Sequence, residues 1–495
     1  MKDAETTLLD GESLTVDTLV ALVRGKCAVD LSEEAWNRVG EARAIVEAMM
    51  QSGKPLYGIN TGVGSQKDRR LHDDEVEAFN RAVIISEQTS FPGPAFDEAV
   101  VRAALLVLLN NAATGRLGIR PVLIRHLLEF FQTGQMPEIR RNISTGSSDL
   151  GPLAQLSSAV LNLPPDPEDS VSFTLSAKEA VSLVNNNSFA IAHGAIVLSQ
   201  AKHLLRALDL AAAVSLEAHR GNLSYLRVEM AACYRNQHQK QSLEAIRAAL
   251  SGSALWKPEN WRQLHDPLSF RFAMRVNGAV RKAHDSAVKA FEDDLNCVCD
   301  NPVVSLELGE VVTGINMDST PLTCAMDMLR QVLAVAVSVS FERTMKVQNP
   351  AFSGLPAAFA DPARAESGFQ NIILPHLTAA RLAELRTLSV PVLLECSYGI
   401  VDGAIDVSGM APLSVQRTEE VLDLGWQILA NEILIAIWAI KIRDLPREGL
   451  GAEVRNAYDQ VGPMLPLGRE GQEVFNFCPV IDVVKALVTN LGDPC

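Results

Sequence analysis

The feature that most constrains the fold of this chain is a set of four long segments in which apolar residues recur every three or four positions. An α-helix turns once in 3.6 residues, so this spacing gathers the apolar side chains on one face. The segments are longer than ordinary globular helices, and such lengths are typical of a helical bundle. They run from Leu198 to His219, Arg281 to Asn296, Pro321 to Gln348 and Arg417 to Ile442.

The rest of the composition agrees with a mainly α fold built on a long central helical bundle. Hydrophobic residues make up 47% of the chain and aromatic residues only 5%. Short alternating stretches, which are typical of strands, are rare. We predict two portions: residues 1–195, with Tyr57 and Ser147, and residues 196–495, which form the long-helix body.

Charge and targeting signals narrow the possible partners. The formal net charge of −15 argues against binding nucleic acid or an anionic membrane through a general basic surface. The N-terminus lacks a basic head followed by an apolar core, so we expect a cytoplasmic location. The apolar run from Ile428 to Ile442 contains Glu432 and Lys441 and is short for a membrane span, so we predict a buried helix.

Metal-binding patterns are not found in the sequence. The eight cysteines are scattered, and only Cys297 and Cys299 are close, at a spacing unlike that of zinc pairs. The nine histidines form no His-Glu-x-x-His pattern or similar cluster. We therefore expect reduced, mostly structural thiols and no metal cofactor.

Two segments carry the strongest functional signal, the glycine-containing turn Tyr57-Gly-Ile-Asn-Thr-Gly62 and the stretch Thr145-Gly-Ser-Ser-Asp-Leu-Gly151. Both resemble signature pieces of the histidine/phenylalanine/tyrosine ammonia-lyase and aminomutase family. Further fragments resemble the family in the same order along the chain. They are Gly115 to Pro121, Glu179 to Ser188, His265 to Arg271, Asp300-Asn301-Pro302, Gly314 to Ser319, Ser353 to Pro356 and Ser367 to Phe369.

The resemblance implies an ammonia-lyase fold, a small amino-acid-like substrate and a homotetramer whose active sites take residues from three subunits. Members cyclise an internal Ala-Ser-Gly triplet into an electrophilic methylidene-imidazolone (MIO) ring. Here Gly146, Ser147 and Ser148 occupy those positions, and Ser147 would supply the methylidene carbon.

The triplet departs from the family at two of its three positions. Gly146 only lacks a methyl group, which we expect to be tolerated. Ser148 is the harder change, because its side chain lies beside the nitrogen that would close the ring and restricts a backbone that glycine enters freely. The alternative is an ordinary turn capped by serine or by Asp149, leading into a helix that begins near Leu150.

The resemblance also assigns roles outside the triplet. Tyr57 would act as base or proton shuttle, and Asn185 would hydrogen-bond the ring or developing charge. In the long-helix body, Arg271 would hold the substrate carboxylate through paired hydrogen bonds, and Asn316 would assist it. The competing interpretations are a surface ion pair for Arg271 and a helix C-terminal cap for Asn185.

Several pocket positions differ from the family. Leu268 stands where the family commonly has a second tyrosine, and an acid or amide expected between Gly403 and Ser408 is missing. Glu87 lies where many members carry a residue that selects the substrate side chain. Its carboxylate could pair with a cationic or hydrogen-bond-donating substrate group, or be a solvated surface charge.

Three interpretations follow. The first is a C–N lyase or aminomutase in which Ser147 becomes the electrophile, Tyr57 takes the β-proton and Arg271 fixes the carboxylate. The second is a ring-free enzyme on the same scaffold, in which Tyr57 and Ser147 perform acid/base elimination or isomerisation on an amino-acid-like or acyl substrate. The third is a noncatalytic scaffold, against which the joint presence of Tyr57, Asn185, Arg271 and Asn316 argues.

Overall fold

Helices dominate the computed structural model, which confirms the predicted mainly α class. The structure describes residues 6–25, 27–141, 144–163, 173–395, 399–468 and 474–489. The helices are α1 Val16–Arg24, α2 Glu33–Gln51, α3 Val76–Glu87, α4 Glu98–Ala113, α5 Pro121–Thr133, α6 Leu150–Val160, α7 Glu179–Val184, α8 Ser188–His219, α9 Gln237–Ala249, α10 Leu268–Arg271, α11 Ala273–Leu295, α12 Thr320–Gln348, α13 Pro350–Ser353, α14 Phe369–Leu388, α15 Ala411–Ile442, α16 Ala452–Val461 and α17 Cys478–Thr489.

Within the described ranges, four short strands form two small sheets. Strands β1 Thr7–Leu9 and β2 Val29–Leu31 pair in parallel, with Leu9 opposite Leu31. Strands β3 Val303–Ser305 and β4 Glu310–Val312 form an antiparallel hairpin.

The chain divides into two compact units, each built from three stretches of sequence. The first comprises Met1–Ser199, Ser286–Asp327 and Pro391–Gln416. The second comprises Gln200–Asp285, Met328–Val390 and Arg417–Cys495. The simple division after residue 195 stays a prediction of the sequence, and Asn316 belongs to the first of the two units.

The long helices begin earlier than the apolar periodicity predicted. Helix α8 begins at Ser188 rather than near Leu198. It passes through Gly194, where an added Cβ would lie 2.0 Å from the Phe291 ring of α11. The glycine weakens the periodic signal but permits this close approach, because only a residue without a side chain leaves room for the ring.

Three helical stretches are long and apolar enough, by length and composition alone, to cross a membrane. In each, between 61% and 89% of the most apolar window is buried within the protein. They are Glu179–His219, Thr320–Gln348 and Ala411–Ile442. The run that the sequence predicted as a buried helix, Ile428 to Ile442, lies inside the last of these and is part of a 32-residue helix.

Candidate active site

The Gly146-Ser147-Ser148 triplet lies in the first unit, in a loop whose backbone is left-handed at two positions. Gly146 has a φ of 80° and Ser148 a φ of 73°. A left-handed serine is uncommon and costs free energy unless its surroundings hold it in place. The loop leads directly into α6, which begins at Leu150.

The surroundings of Ser148 hold it through both its backbone and its side chain. Its N–H donates to Asn187 Oδ1 at 3.1 Å, and its hydroxyl donates to Asn185 Oδ1 at 2.5 Å. Asn185 in turn donates through Nδ2 to the Asn301 carbonyl at 2.7 Å. Both polar ends of the Asn185 amide are therefore used within the protein, and its predicted contact with a ring or developing charge stays a prediction.

Gly146 and Ser147 are held by residues far away in the sequence. The Ser319 hydroxyl donates to the Gly146 carbonyl oxygen at 2.6 Å. Ser147 Oγ lies 3.1 Å from the Val407 carbonyl oxygen and 3.0 Å from Ser408 Oγ. The half-buried Ser147 hydroxyl therefore contacts a second loop, the one that contains Val407 and Ser408.

Four helix N-termini meet at this loop. Helix α6 follows the triplet, α8 begins just after Asn187, α12 just after Ser319, and α15 just after Met410, whose N–H donates to the Thr145 carbonyl at 2.9 Å. A helix N-terminus carries a partial positive charge from aligned peptide dipoles and free N–H groups. Their convergence makes the space over the triplet favourable for negative charge on a ligand.

The carboxylate of Asp149 supports the loop from within. It accepts from Ser144 Oγ at 2.8 Å and from the Ala190 N–H at 2.8 Å. Ser144 Oγ also accepts from the Gly146 N–H at 3.0 Å. Burial raises the pKa of Asp149 to about 6, because desolvation disfavours the charged form.

Tyr57 lies in a turn that packs close to the same elements. Its phenolic oxygen accepts from the Gly64 N–H at 3.2 Å. A Cβ at the adjoining Gly58 would lie 3.1 Å from Val181 of α7, the short helix that Asn185 caps. Four residues of helix rise only about 6 Å, so α7 brings the tyrosine turn and the triplet to the same region.

The other first-unit candidates differ in how they are held. Asn316 donates through Nδ2 to Cys297 Sγ at 2.9 Å and to the Val298 carbonyl at 3.1 Å, and its Oδ1 has no hydrogen-bond partner among the residues described. Glu87 is the last residue of α3. Burial raises the pKa of its carboxyl group, which has no hydrogen-bond or ion-pair partner within the described ranges.

Arg271 and Leu268 lie in the second unit, where they form the two ends of α10. Arg271 donates through Nε to the Asp266 carbonyl at 2.9 Å. Its two terminal nitrogens make no hydrogen bond or ion pair to the part of the chain that the structure describes. A guanidinium with both terminal nitrogens free can bind a carboxylate with two parallel hydrogen bonds. The Leu268 side chain is 51% exposed.

Sequence analysis missed Ser319, Asn187 and Ser408 as members of this site. The first two stand inside fragments that resemble the family, and that position was the only available signal. Ser408 ends the segment from Gly403 that was compared with the family for its missing acid or amide, and that position was its only signal. No group of three or more His, Cys, Asp or Glu side chains that could hold a metal ion occurs among the described residues.

Gly146 has a steric role that the sequence did not predict. A Cβ on Gly146 would lie 2.5 Å from Ser319 Oγ and 2.7 Å from the Met410 nitrogen. We expect Gly146→Ala to lower the free energy of unfolding by about 2–5 kcal/mol, combining left-handed strain with overpacking.

The matched control is Gly134→Ala, because Gly134 has a φ of 74° and nothing within 4 Å of an added Cβ. Its free energy of unfolding should fall only by the cost of the left-handed strain, about 1–2 kcal/mol. Urea titrations of both variants check the difference. Equal losses of stability would remove the steric role of Gly146.

Comparisons with known proteins agree with this geometry. Residues 14–165 and 167–462 match the model of the aromatic amino acid lyase family. The chain is 30% identical over 483 residues to a histidine ammonia-lyase from Stigmatella aurantiaca, covering 94% of this chain and 93% of the relative.

Two solved structures are similar over almost the whole chain. The ergothioneine-degrading enzyme ergothionase from Treponema denticola, solved with desmethyl-ergothioneine sulfonic acid, has a TM-score of 0.88 and 27% identity, covering 98% of this chain and 99% of that one. Histidine ammonia-lyase from Trypanosoma cruzi has a TM-score of 0.81 and 25% identity, covering 98% and 93%. The chain therefore belongs to the aromatic amino acid lyase family and is an enzyme of the C–N lyase class.

Proposed function

We propose that this enzyme eliminates the α-amine from an imidazole-bearing amino acid derivative, and that it does so without an MIO ring. The observation that carries the proposal is the state of Ser148. Ring closure would use the Ser148 nitrogen, whose N–H is committed to Asn187, while its side chain is anchored on Asn185. These contacts favour an uncyclised Ser148, because closing the ring would break the hydrogen bond from its N–H.

A ring-free elimination places a condition on the leaving group. An unmodified amine is a poor leaving group and departs only after an electrophile has activated its nitrogen. A quaternary trialkylammonium group has no N–H to lose, so it keeps its positive charge and leaves as a neutral amine without a covalent electrophile. We therefore propose a betaine-type substrate, in which the α-nitrogen is trimethylated.

The residues of the site supply the remaining steps. Tyr57 acts as its phenolate, whose oxygen accepts from the Gly64 N–H. It takes the β-proton, the electrons of that C–H bond form the Cα–Cβ double bond, and the C–N bond breaks with its electrons leaving on the amine. The products are an α,β-unsaturated acid, a trialkylamine and a proton on the Tyr57 oxygen. The four helix N-termini favour the negative charge that develops as the proton is removed.

Two charged residues would recognise the substrate, and the compounds named with the relatives indicate its chemical class. Among the described residues, the two terminal nitrogens of Arg271 and the carboxylate of Glu87 have no partner. Arg271 would bind the substrate carboxylate, and Glu87 would accept from an imidazole N–H. Histidine and ergothioneine, the compounds named with the relatives above, both contain an imidazole-type ring, and the α-nitrogen of ergothioneine is trimethylated.

One contact favours a second candidate, the ring-dependent ammonia-lyase or aminomutase reaction at Ser147. The Ser319 hydroxyl donates to the Gly146 carbonyl oxygen, and this donor would polarise the carbonyl carbon that ring closure attacks. Under this candidate, Gly146, Ser147 and Ser148 form the MIO group and histidine is the expected substrate.

Mass spectrometry of the peptide that contains Ser147, taken from natively purified protein, separates the two candidates. An unmodified mass is expected for the ring-free enzyme, together with trimethylamine release from ergothioneine or from histidine betaine. Loss of two waters would overturn the ring-free mechanism. An unmodified peptide with no activity on either betaine would overturn the proposed substrate class.

We also propose a homotetramer in the cytoplasm. Helix α14 in the second unit exposes a row of large apolar side chains at helical spacing, between 48% and 59% exposed: Phe369, Ile372, Ile373 and Leu377. A contiguous apolar helix face is typical of a protein–protein contact. Light scattering on the purified protein tests the tetramer, and cell fractionation tests the location.

A further inference from the structure

Three arginines come together in the second unit at the C-terminal end of α8. Arg220 follows the last residue of that helix, and its carbonyl accepts from the Arg262 N–H at 2.8 Å. Arg443 donates through Nε to the Ala218 carbonyl at 2.8 Å. Arg220 donates through Nε to the Asn260 carbonyl at 3.0 Å. These contacts join the Arg262 backbone to Arg220 and place the Arg443 side chain on a carbonyl two residues before Arg220.

The carboxylate of Asp266 attracts Arg262 but forms no ion pair with it, so the positive charges of this arginine cluster are only partly balanced. None of the three guanidinium groups forms an ion pair within the described part of the chain, and Arg262 Nε is buried without a hydrogen-bond partner. Burial, with the charges of Arg262 and Arg220, lowers the pKa of Arg443 to about 10. Like charges that converge in a half-buried place repel each other unless an anion neutralises them.

The backbone of Arg220 adds a second cost. Its φ is 56°, and the Gly221 N–H donates to the Leu216 carbonyl at 2.9 Å, as in a Schellman helix ending. Glycine is the usual residue at this left-handed position, and a large side chain there is strained. An arginine at this place is less stable than glycine would be, which favours a function for its side chain.

Capping of the helix is the competing explanation, since cations stabilise a helix C-terminus. That explanation accounts for Arg443, which binds the Ala218 carbonyl. It does not account for three cations, because a helix end carries only about half a negative charge. It also leaves the buried Arg262 Nε without a partner.

We propose that Arg220, Arg262 and Arg443 form a binding site for a small oxyanion, a phosphate or a carboxylate. Guanidinium groups suit such anions because their planar donors match two oxygens at once. A chain of hydrogen bonds leads from the cluster towards Arg271. Gln263 accepts from Arg262 at 3.0 Å and donates to the carboxylate of Asp266 at 3.1 Å. The Asp266 carbonyl accepts from Arg271. The site is separate from the proposed reaction and does not depend on it.

Thermal unfolding and calorimetric titration of the full-length protein test the site. Inorganic phosphate and succinate, each compared with sodium chloride at equal ionic strength, separate a tetrahedral oxyanion from a carboxylate. We expect at least one of them to raise the Tm in a dose-dependent way. Arg262→Gln should weaken its binding at least about tenfold, the effect of losing one charge-assisted hydrogen-bonding group.

Two further variants keep the test decisive. Arg220→Gly removes one charge and the left-handed strain, so it should raise the Tm without phosphate and weaken anion binding at least about tenfold. Arg447→Gln changes an exposed arginine paired with Asp459 and should respond as the wild type does. Equal responses in all variants, or none beyond that of chloride, would overturn the site. A change of oligomeric mass in Arg262→Gln, with no anion response in the wild type, would assign the cluster to a second copy instead.

Discussion

Replacing Tyr57 with phenylalanine is expected to lower kcat/KM for amine elimination by about 10²–10⁴-fold, the usual contribution of a positioned general base. The phenolic oxygen accepts a hydrogen bond from the Gly64 N–H. Tyr57 lies in the turn that packs on α7 beside the triplet. Phenylalanine keeps the aromatic side chain and removes the oxygen atom that takes the β-proton. Absorbance of the α,β-unsaturated product, measured with the betaine substrates, checks the loss.

The control is Tyr234→Phe, which removes a phenol that donates to the Tyr225 carbonyl at 3.4 Å in the second unit. Its kcat/KM should match that of the wild type. Binding of the unsaturated product to the Tyr57 variant should also be retained, because the carboxylate clamp is intact. Full activity in Tyr57→Phe would show that another group takes the proton.

Replacing Glu432 with glutamine is expected to reduce the free energy of unfolding by about 3–5 kcal/mol, because it leaves a buried guanidinium without its counter-charge. Glu432 and Arg343 are almost fully buried and joined at 2.5 and 2.9 Å. Hydroxyl groups of Ser215 and Ser340 donate to the same carboxylate. Urea titration measures the change.

An exposed pair provides the comparison. Arg381 and Glu384 lie 2.8 Å apart with about half of each side chain exposed, so Arg381→Gln should cost less than about 0.5 kcal/mol. The double variant Arg343→Met with Glu432→Leu should recover much of the lost stability, since apolar replacement of a buried pair is often neutral. If Glu432→Gln costs no more than Arg381→Gln, the pair does not stabilise the second unit.

The helical class and the position of the site loop were predictable because both depend on short-range signals. Apolar spacing along α12 and α15 follows from 3.6 residues per turn, whatever the rest of the chain does. The helix starts were less predictable, as at α8, because Gly194 interrupts the pattern and only its packing against Phe291 explains it. The domain division after residue 195 has no such local signal and stays untested.

The sequence by itself determined the mainly α class, the family resemblance and the candidate residues Tyr57, Ser147 and Arg271. Only the tertiary structure decided why position 146 is glycine and how Ser148 is held. The contacts responsible, Ser319 with Gly146 and Ser147 with Ser408, join residues 173 and 261 positions apart. Local propensity carries no information about such pairs, because their geometry exists only after distant helix ends have packed together.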